Sequence, residues 1–217
     1  MIRKVRITLA AVFFIFITLL FLDFTGTIRH WMEWMAKIQF MPAILAVNAI
    51  VIIALILLTL LLGRIYCSVI CPLGILQDII ARIHNTRKKN RYTYSKAVSW
   101  LRYTMLIIMI AAFFSGIGSL VALLDPYGSF GRIASNLIQP IYESINNILA
   151  AIAMHYDSYA FYNVDIWIKS MPTFIIAIST LIILIVLAWR NGRTYCNTIC
   201  PVGTFLGLLS RFSWLKI

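Results

Sequence analysis

Long apolar segments alternate with shorter polar connections along the chain. A helix needs about 20 residues to cross a bilayer. Four segments are apolar and close to that length, and they run near Ile7–Leu22, Ala43–Leu62, Tyr103–Leu124 and Met171–Trp189. The first has a basic start like a signal peptide, but it is longer than a usual signal core and no small-residue cleavage site follows. The pattern predicts an all-α membrane protein with four transmembrane helices.

Composition supports this prediction and excludes most soluble classes. Of the 217 residues, 62% are hydrophobic and only 12% are charged, and the mean hydropathy is +0.91. A soluble domain has roughly 45–50% apolar and about 25% charged residues. Intrinsic disorder is therefore excluded, a soluble enzyme is strongly disfavoured, and membrane lipid is the expected surrounding.

The distribution of charge predicts the topology. Of the 19 Lys and Arg residues, 15 lie in the N-terminus, the 63–102 connection and the C-terminal tail. The positive-inside rule places these three regions in the cytoplasm, which an even number of spans allows. The net charge of +12 alone would suggest nucleic acid. The basic run Arg87–Arg91, however, lies between two spans, where topology signals and anionic lipids explain it, so no nucleic-acid partner is expected.

Polar and aromatic residues outside the four segments carry weaker signals. Residues 137–154 predict a helix on the outer surface, and Asn48 is expected to hydrogen-bond a neighbouring helix. His30, His84 and His155 are interpreted as interfacial residues because no pair lies within a span to bind haem. The predicted interfacial aromatics are Trp31, Trp34, Tyr156, Tyr159, Tyr162 and Trp167.

The chain contains an internal repeat with an offset of 129 residues. Residues 63–74 (GRIYCSVICPLG) match residues 192–203 (GRTYCNTICPVG), and eight of the twelve positions are identical. Each copy follows an inward-going segment, so the two halves have the same topology, as in transporters with parallel repeats. We therefore predict one membrane domain over 1–217, with repeat one at 1–100 and repeat two at 101–217, and both cysteine pairs at the same depth.

The C-x3-C-P elements predict a local structure that favours thiolates. Proline is well tolerated at the first position of a helix. Pro72 and Pro201 should therefore begin short amphipathic interfacial helices, with Cys71 and Cys200 at their N-caps. Helix N-termini lower the pKa of a nearby thiol. The repeat also supplies two guanidinium groups, Arg64 and Arg193, that can add positive charge.

Four thiols in two pairs are compatible with several kinds of site. A disulfide is disfavoured because the cytoplasm keeps thiols reduced, and structural zinc usually has other cysteine spacings. Iron–sulfur clusters use cysteine thiolates, and bacterial ferredoxin runs themselves end in C-x3-C-P. Small buried hydrophobic cysteines are the remaining alternative. The candidate ligands are Cys67, Cys71, Cys196 and Cys200.

The two GR-x-Y-C-x3-C-P-x-G elements, each after an apolar segment, resemble the NosR/NapH family of membrane iron–sulfur proteins. This resemblance implies a bacterial inner-membrane, multi-pass electron-transfer protein linked to the quinone pool. It carries the family's cysteine positions onto the four cysteines above and favours a [4Fe-4S] over a [2Fe-2S] cluster. Family members typically continue into cytoplasmic ferredoxin modules. We therefore expect a further C-terminal module or a separate ferredoxin-like partner.

Three functions remain open at this point. The first is an electron-transfer component, such as a quinol dehydrogenase subunit, rather than a stand-alone enzyme. The second is a thiol- or copper-handling protein of the oxidase-assembly type. The third is a cluster-free membrane anchor for a redox complex.

Overall fold

Helices make up most of the described part of the chain. The computed structural model describes residues 2–23, 26–87, 98–155, 162–165 and 170–214. No strand occurs in this part of the chain, so the prediction of an all-α protein is confirmed. The helices are α1 (Ile2–Leu22), α2 (Thr27–Lys37), α3 (Phe40–Leu45), α4 (Ala49–Leu62), α5 (Pro72–Arg87), α6 (Ser99–Phe114), α7 (Gly118–Leu124), α8 (Pro126–Ile133), α9 (Gln139–His155), α10 (Met171–Asn191), α11 (Thr194–Thr198) and α12 (Pro201–Leu209).

Three shorter helical turns lie between or after these helices in the described residues. A π-helical turn, Tyr66–Ile70, lies between α4 and α5, and a second, Ala134–Ile138, joins α8 to α9. A 3₁₀ turn, Ser210–Phe212, follows α12. Residues 88–97, which hold most of the basic run, lie outside the described residues, as do Tyr156, Tyr159 and Trp167 and the side chains of His30 and His84.

The first and last predicted spans are single helices. Among the described residues, two stretches are long and apolar enough to cross a membrane, Lys4–Leu22 and Met171–Trp189. Helices α4 and α6 are apolar but shorter. Four transmembrane helices are therefore not confirmed.

The second and third predicted spans are broken, which the sequence reasoning missed. Helix α3 ends before Val47, whose φ is 52°, and α6 ends before Gly116, whose φ is 72°. Both breaks have the same hydrogen-bond pattern. The backbone N–H that follows the left-handed residue donates to the carbonyl five residues earlier, from Asn48 to Ala43 and from Ile117 to Ala112. Asn48 does not bind a neighbouring helix within the described residues but caps α4, where its Oδ1 accepts from Val51 N at 3.4 Å.

The two repeats interlock rather than stand side by side. Helix α5, which follows the first motif, packs against α10, and α12, which follows the second, packs against α4. The motifs are flanked in the same way, because α1 contacts α5 and α6 contacts α12. Each cysteine–proline helix thus contacts the helix that leads into the other motif, and this cross-packing brings the two motifs together.

The two cysteine–proline helices begin where the sequence predicts but are more buried than expected. Pro72 begins α5 and Pro201 begins α12. Their first turns are buried, and Phe205 is the only exposed residue of the described helix α12. The prediction of interfacial helices did not anticipate this burial, because it depends on the packing of α12 between α4 and α6.

Candidate metal centre

All four cysteines lie inside the helical core. Their exposed fractions are 7% for Cys67 and Cys196 and 2% for Cys71 and Cys200, and none forms a disulfide. Electrostatic interactions link each thiol to at least one thiol of the other motif, as between Cys67 and Cys196. The fold therefore collects the two pairs in one buried region.

Each motif makes the same sharp turn. A glycine with φ of 70°, Gly63 or Gly192, ends the preceding helix. Other residues rarely adopt this conformation, so the position favours glycine. The first cysteine then lies in a short helical piece, and the second cysteine has an extended backbone that directs the chain into the next helix. Cys67 thus lies about one turn beyond the end of the apolar helix α4.

Two glycines allow each cysteine–proline helix to lie directly on its own motif. A Cβ atom on Gly74 would be 2.0 Å from the carbonyl oxygen of Cys67, and one on Gly203 would be 2.2 Å from that of Cys196. No side chain fits at either distance, and the obstructing atoms are backbone. The duplicated glycine is therefore part of the site's architecture.

A buried tyrosine fastens the first motif to α3. The hydroxyl of Tyr66 donates to Gln39 Oε1 at 3.1 Å and accepts from Phe40 N at 2.9 Å. Gln39 Nε2 donates in turn to the carbonyl of Ile70 at 3.1 Å. Each of these buried polar groups has a partner, as stable cores require.

The two motif arginines reach across to the opposite repeat. Arg193 makes a bidentate ion pair with Asp78 of α5, the geometry that gives arginine–carboxylate pairs their specificity. Arg64 donates to Asn197 Oδ1 at 3.1 Å and to Ser210 Oγ at 3.5 Å. Both guanidinium groups lower the pKa of the Cys67 and Cys196 thiols.

Burial outweighs these favourable charges. Loss of hydration raises the pKa of all four thiols, to about 12 for Cys67, and neighbouring thiols raise it further at Cys67, Cys71 and Cys200. The backbone N–H groups at the helix starts lower the pKa of Cys71 and Cys200, as predicted, but by less. The expectation of stable thiolates is therefore wrong for the metal-free chain, and thiolates here need the positive charge of a bound metal group.

One further polar side chain reaches the thiols. Gln77 of α5 is fully buried, and its Nε2 donates to Cys196 Sγ at 3.1 Å. Its Oε1 is buried without a hydrogen-bond partner in the described part of the chain. A buried amide aimed at a sulfur is the kind of contact that supports a ligand rather than an inert hydrophobic cysteine.

The four thiols are soft donors of the kind that iron–sulfur clusters use. Among the described residues, no three His, Cys, Asp or Glu side chains are grouped closely enough to hold one metal ion. A four-iron cluster binds one cysteine at each of its four iron atoms. Four buried soft thiols, two arginines and a buried amide donor are compatible with such a group.

The sequence predicted the cysteines, prolines and arginines as candidate site residues, but the contact of Gln77, the pairing of Asp78 and the role of the glycines were not anticipated. Signals for two of these were present. Asp78 is the only acid on the predicted cytoplasmic side, and Gly74 and Gly203 are identical positions of the repeat.

Comparison with known proteins points to the same chemistry. Residues 44–91 and 173–217 match a family described as "4Fe-4S binding domain", so each repeat contributes one matched segment that contains one cysteine pair. These findings support a ferredoxin-like 4Fe-4S family and an iron–sulfur electron-transfer role. No solved structure matches the chain significantly.

Two relatives extend the comparison. The chain is 24% identical over 217 residues to an uncharacterized protein of Methanocaldococcus jannaschii, covering 96% of this chain and 71% of that protein. It is 27% identical over 155 residues to the methylamine utilization ferredoxin-type protein MauN of Paracoccus denitrificans, covering 71% of this chain and 42% of MauN. The chain therefore spans less than half the length of that ferredoxin-type relative.

Proposed function

We propose that the chain is a membrane-bound electron-transfer protein of the NosR/NapH type, in which Cys67, Cys71, Cys196 and Cys200 together hold one [4Fe-4S] cluster. The observation that carries this proposal is the burial of both cysteine pairs in one core by the cross-packing of α5 on α10 and α12 on α4. When bound, such a cluster accepts and releases one electron at a time. The chain's own residues then bind it, exclude water from it and compensate its charge.

The burial of the thiols also argues against the competing functions. A thiol relay or copper carrier needs thiolates that a partner can reach. The least buried of the four cysteines is only 7% exposed. A cluster-free anchor would have no need for a buried amide directed at Cys196 or for two glycines that admit no Cβ.

Single substitutions test whether one cluster uses all four thiols. We expect each cysteine-to-serine variant, purified anaerobically in detergent, to lose the visible absorbance and the iron of the wild type. Ser68→Ala is the matched control, because it changes a buried residue of the first motif but leaves every thiol in place. Independent behaviour of the two pairs, with half the iron kept when one pair is removed, would contradict the single-cluster proposal.

We also propose that the protein spans the bacterial inner membrane with both termini in the cytoplasm. Two long apolar helices support this, since only 11% and 17% of their apolar windows are buried inside the fold. The concentration of Lys and Arg in three regions of the sequence supports the orientation. Labelling of single cysteines placed near each terminus, in intact and in permeabilised cells, tests it. Labelling of a terminus in intact cells would contradict the proposed orientation.

A cleft beside the first motif supports a link to quinol. Helices α1 and α5 enclose a mainly apolar cleft with a volume of about 440 Å³, which is in the range of ligand pockets. Three charged residues, Arg6, Asp78 and Arg82, line it, and so does Ser68, the neighbour of Cys67. An apolar cleft that also offers polar groups beside the thiols suits an amphiphile with a hydrogen-bonding head.

Filling the cleft tests the quinol link separately from the cluster. In Ala11→Trp the new side chain would occupy the cleft, so reduction of the cluster by a short-chain quinol should slow at least tenfold while reduction by dithionite is unchanged. Val12→Trp is the matched control, because Val12 is exposed and does not line the cleft. Equal rates of quinol reduction in all three proteins would contradict the link.

We further propose that the protein has a redox partner. Electrons would pass between the buried cysteine site and a ferredoxin-like module, either a further part of the protein or a separate subunit. The chain itself is similar to the ferredoxin-type protein MauN, so iron–sulfur electron transfer is the chemistry that it would share with such a partner. Co-purification from the native membrane with a second iron–sulfur protein tests it, and a chain that turns over quinol without any such protein would contradict it.

A further inference from the structure

The two cysteine–proline helices differ at one equivalent buried position, Gln77 in α5 and Leu206 in α12. Gln77 of α5 is 0% exposed and donates to Cys196 Sγ across the boundary between the repeats. The position 129 residues later is Leu206 of α12, which is also 0% exposed. A leucine has no donor, so the hydrogen bond received by Cys196 has no counterpart from Leu206 to Cys67.

The second cysteine of each motif does not share this difference. Cys200 Sγ accepts from the backbone N–H of Gly203 at 3.3 Å, and the backbone N–H groups of Leu73 and Gly74 reach Cys71. These bonds come from the helix starts, which the repeat duplicates. The asymmetry is therefore confined to the first cysteines and depends on one side chain.

The orientation of the Gln77 amide is fixed by its own helix. Its Nε2 also donates to the carbonyl of Leu73 at 3.3 Å. A rotated amide would place Oε1 against that carbonyl, and two acceptors would then face each other. The nitrogen therefore faces the sulfur, and Gln77 acts as a donor.

We propose that Gln77 is a positioning residue that raises the reduction potential of the cluster from one side only, by donating to the ligand sulfur of Cys196. The inference rests on the proposed function. Reduction adds one negative charge, which spreads over the ligand sulfurs, and a donor stabilises that charge. Hydrogen bonds to the sulfurs are among the factors that set the potential of iron–sulfur clusters, and this bond lies in a buried region where its effect is large.

A reciprocal pair of variants tests the proposal. The cluster is titrated with redox mediators and its reduced form is followed by electron paramagnetic resonance. In Gln77→Leu the ratio of oxidised to reduced cluster at a fixed potential should rise about tenfold, a shift of about 59 mV to more negative potential for one electron. Leu206→Gln should shift it in the opposite direction, because the repeat relates Leu206 to Cys67 as it relates Gln77 to Cys196, and the double variant should lie near the wild type.

The outcomes separate this inference from the proposed function. A wild-type protein without iron overturns the proposed function and this inference with it. A cluster-loaded Gln77→Leu protein with an unchanged or higher potential overturns only this inference. If Gln77→Leu does not retain a cluster, Leu206→Gln decides, since an unshifted or lower potential there contradicts the proposal.

Discussion

The two cysteine motifs share their glycine turns but have different neighbours, and the first cysteine lies in a π-helical turn in one and in an α-helix in the other. Both follow a glycine with φ of 70°, and both place a glycine on the carbonyl of the first cysteine. Their arginines differ: Arg193 pairs with Asp78, whereas Arg64 lies near Gly207, the position equivalent to Asp78, and binds Asn197 and Ser210. The duplicated residues thus build the shape of the site, and the residues that are not duplicated give it unequal electrostatics.

The largest loss of stability is expected when the glycine that lies on the first cysteine is replaced, and the loss should be equal in the two motifs. Gly74→Ala and Gly203→Ala each force a Cβ into a backbone carbonyl, so each should lose the cluster and at least about 3 kcal/mol of unfolding free energy. Iron content and unfolding in detergent measure both losses. Gly118→Ala is the control because open space surrounds that position. Tolerance of alanine in one motif but not in the other would contradict the equivalence.

Removal of the tyrosine hydroxyl should cost less stability, and the cost should differ between Tyr66 and Tyr195. Tyr66→Phe leaves the buried Gln39 Oε1 and Phe40 N without their partner, which costs roughly 1–3 kcal/mol. Tyr195→Phe should cost much less, because no hydrogen bond of its hydroxyl is present among the described residues. Thermal unfolding of the two variants measures the difference, and equal losses would contradict it.

The ion pair of the second motif should contribute less still. Asp78→Asn and Arg193→Gln, measured singly and together, should give a coupling energy of about 0.5–1 kcal/mol, because the pair is partly exposed to solvent. The same cycle with Asp78→Asn and Arg64→Gln should be additive, since Arg64 binds other groups. A larger coupling for Arg64 than for Arg193 would reverse the assignment of the pair.

The smallest change in stability is expected at the helix breaks after α3 and α6. Val47 has φ of 52° and is exposed, while the equivalent turn after α6 uses Gly116. A β-branched residue is strained in this conformation, so Val47→Gly should stabilise the protein by about 0.5–1 kcal/mol despite the flexibility of glycine. Val47→Ala, which keeps most of the strain, is the control. A lower melting temperature for Val47→Gly would show that the turn is not strained.

The features of the fold that depend on local sequence were predictable, and those that depend on tertiary contacts were missed. The helices that begin at Pro72 and Pro201 follow from proline alone, and the four candidate ligands follow from the repeat. The broken spans were missed because an apolar run looks the same whether its helix continues or turns at Val47 or Gly116. The contacts of Gln77 and Asp78 were missed because they depend on cross-packing of the repeats, which a repeat in the sequence does not specify.

We propose above that two interlocked repeats hold one cluster with four buried cysteines. The most direct test of this proposal is the amount of iron and acid-labile sulfide per chain after anaerobic purification in detergent. We expect about four of each, with every iron lost when any one cysteine becomes serine. Near-zero iron, under conditions in which other iron–sulfur proteins keep theirs, would contradict it.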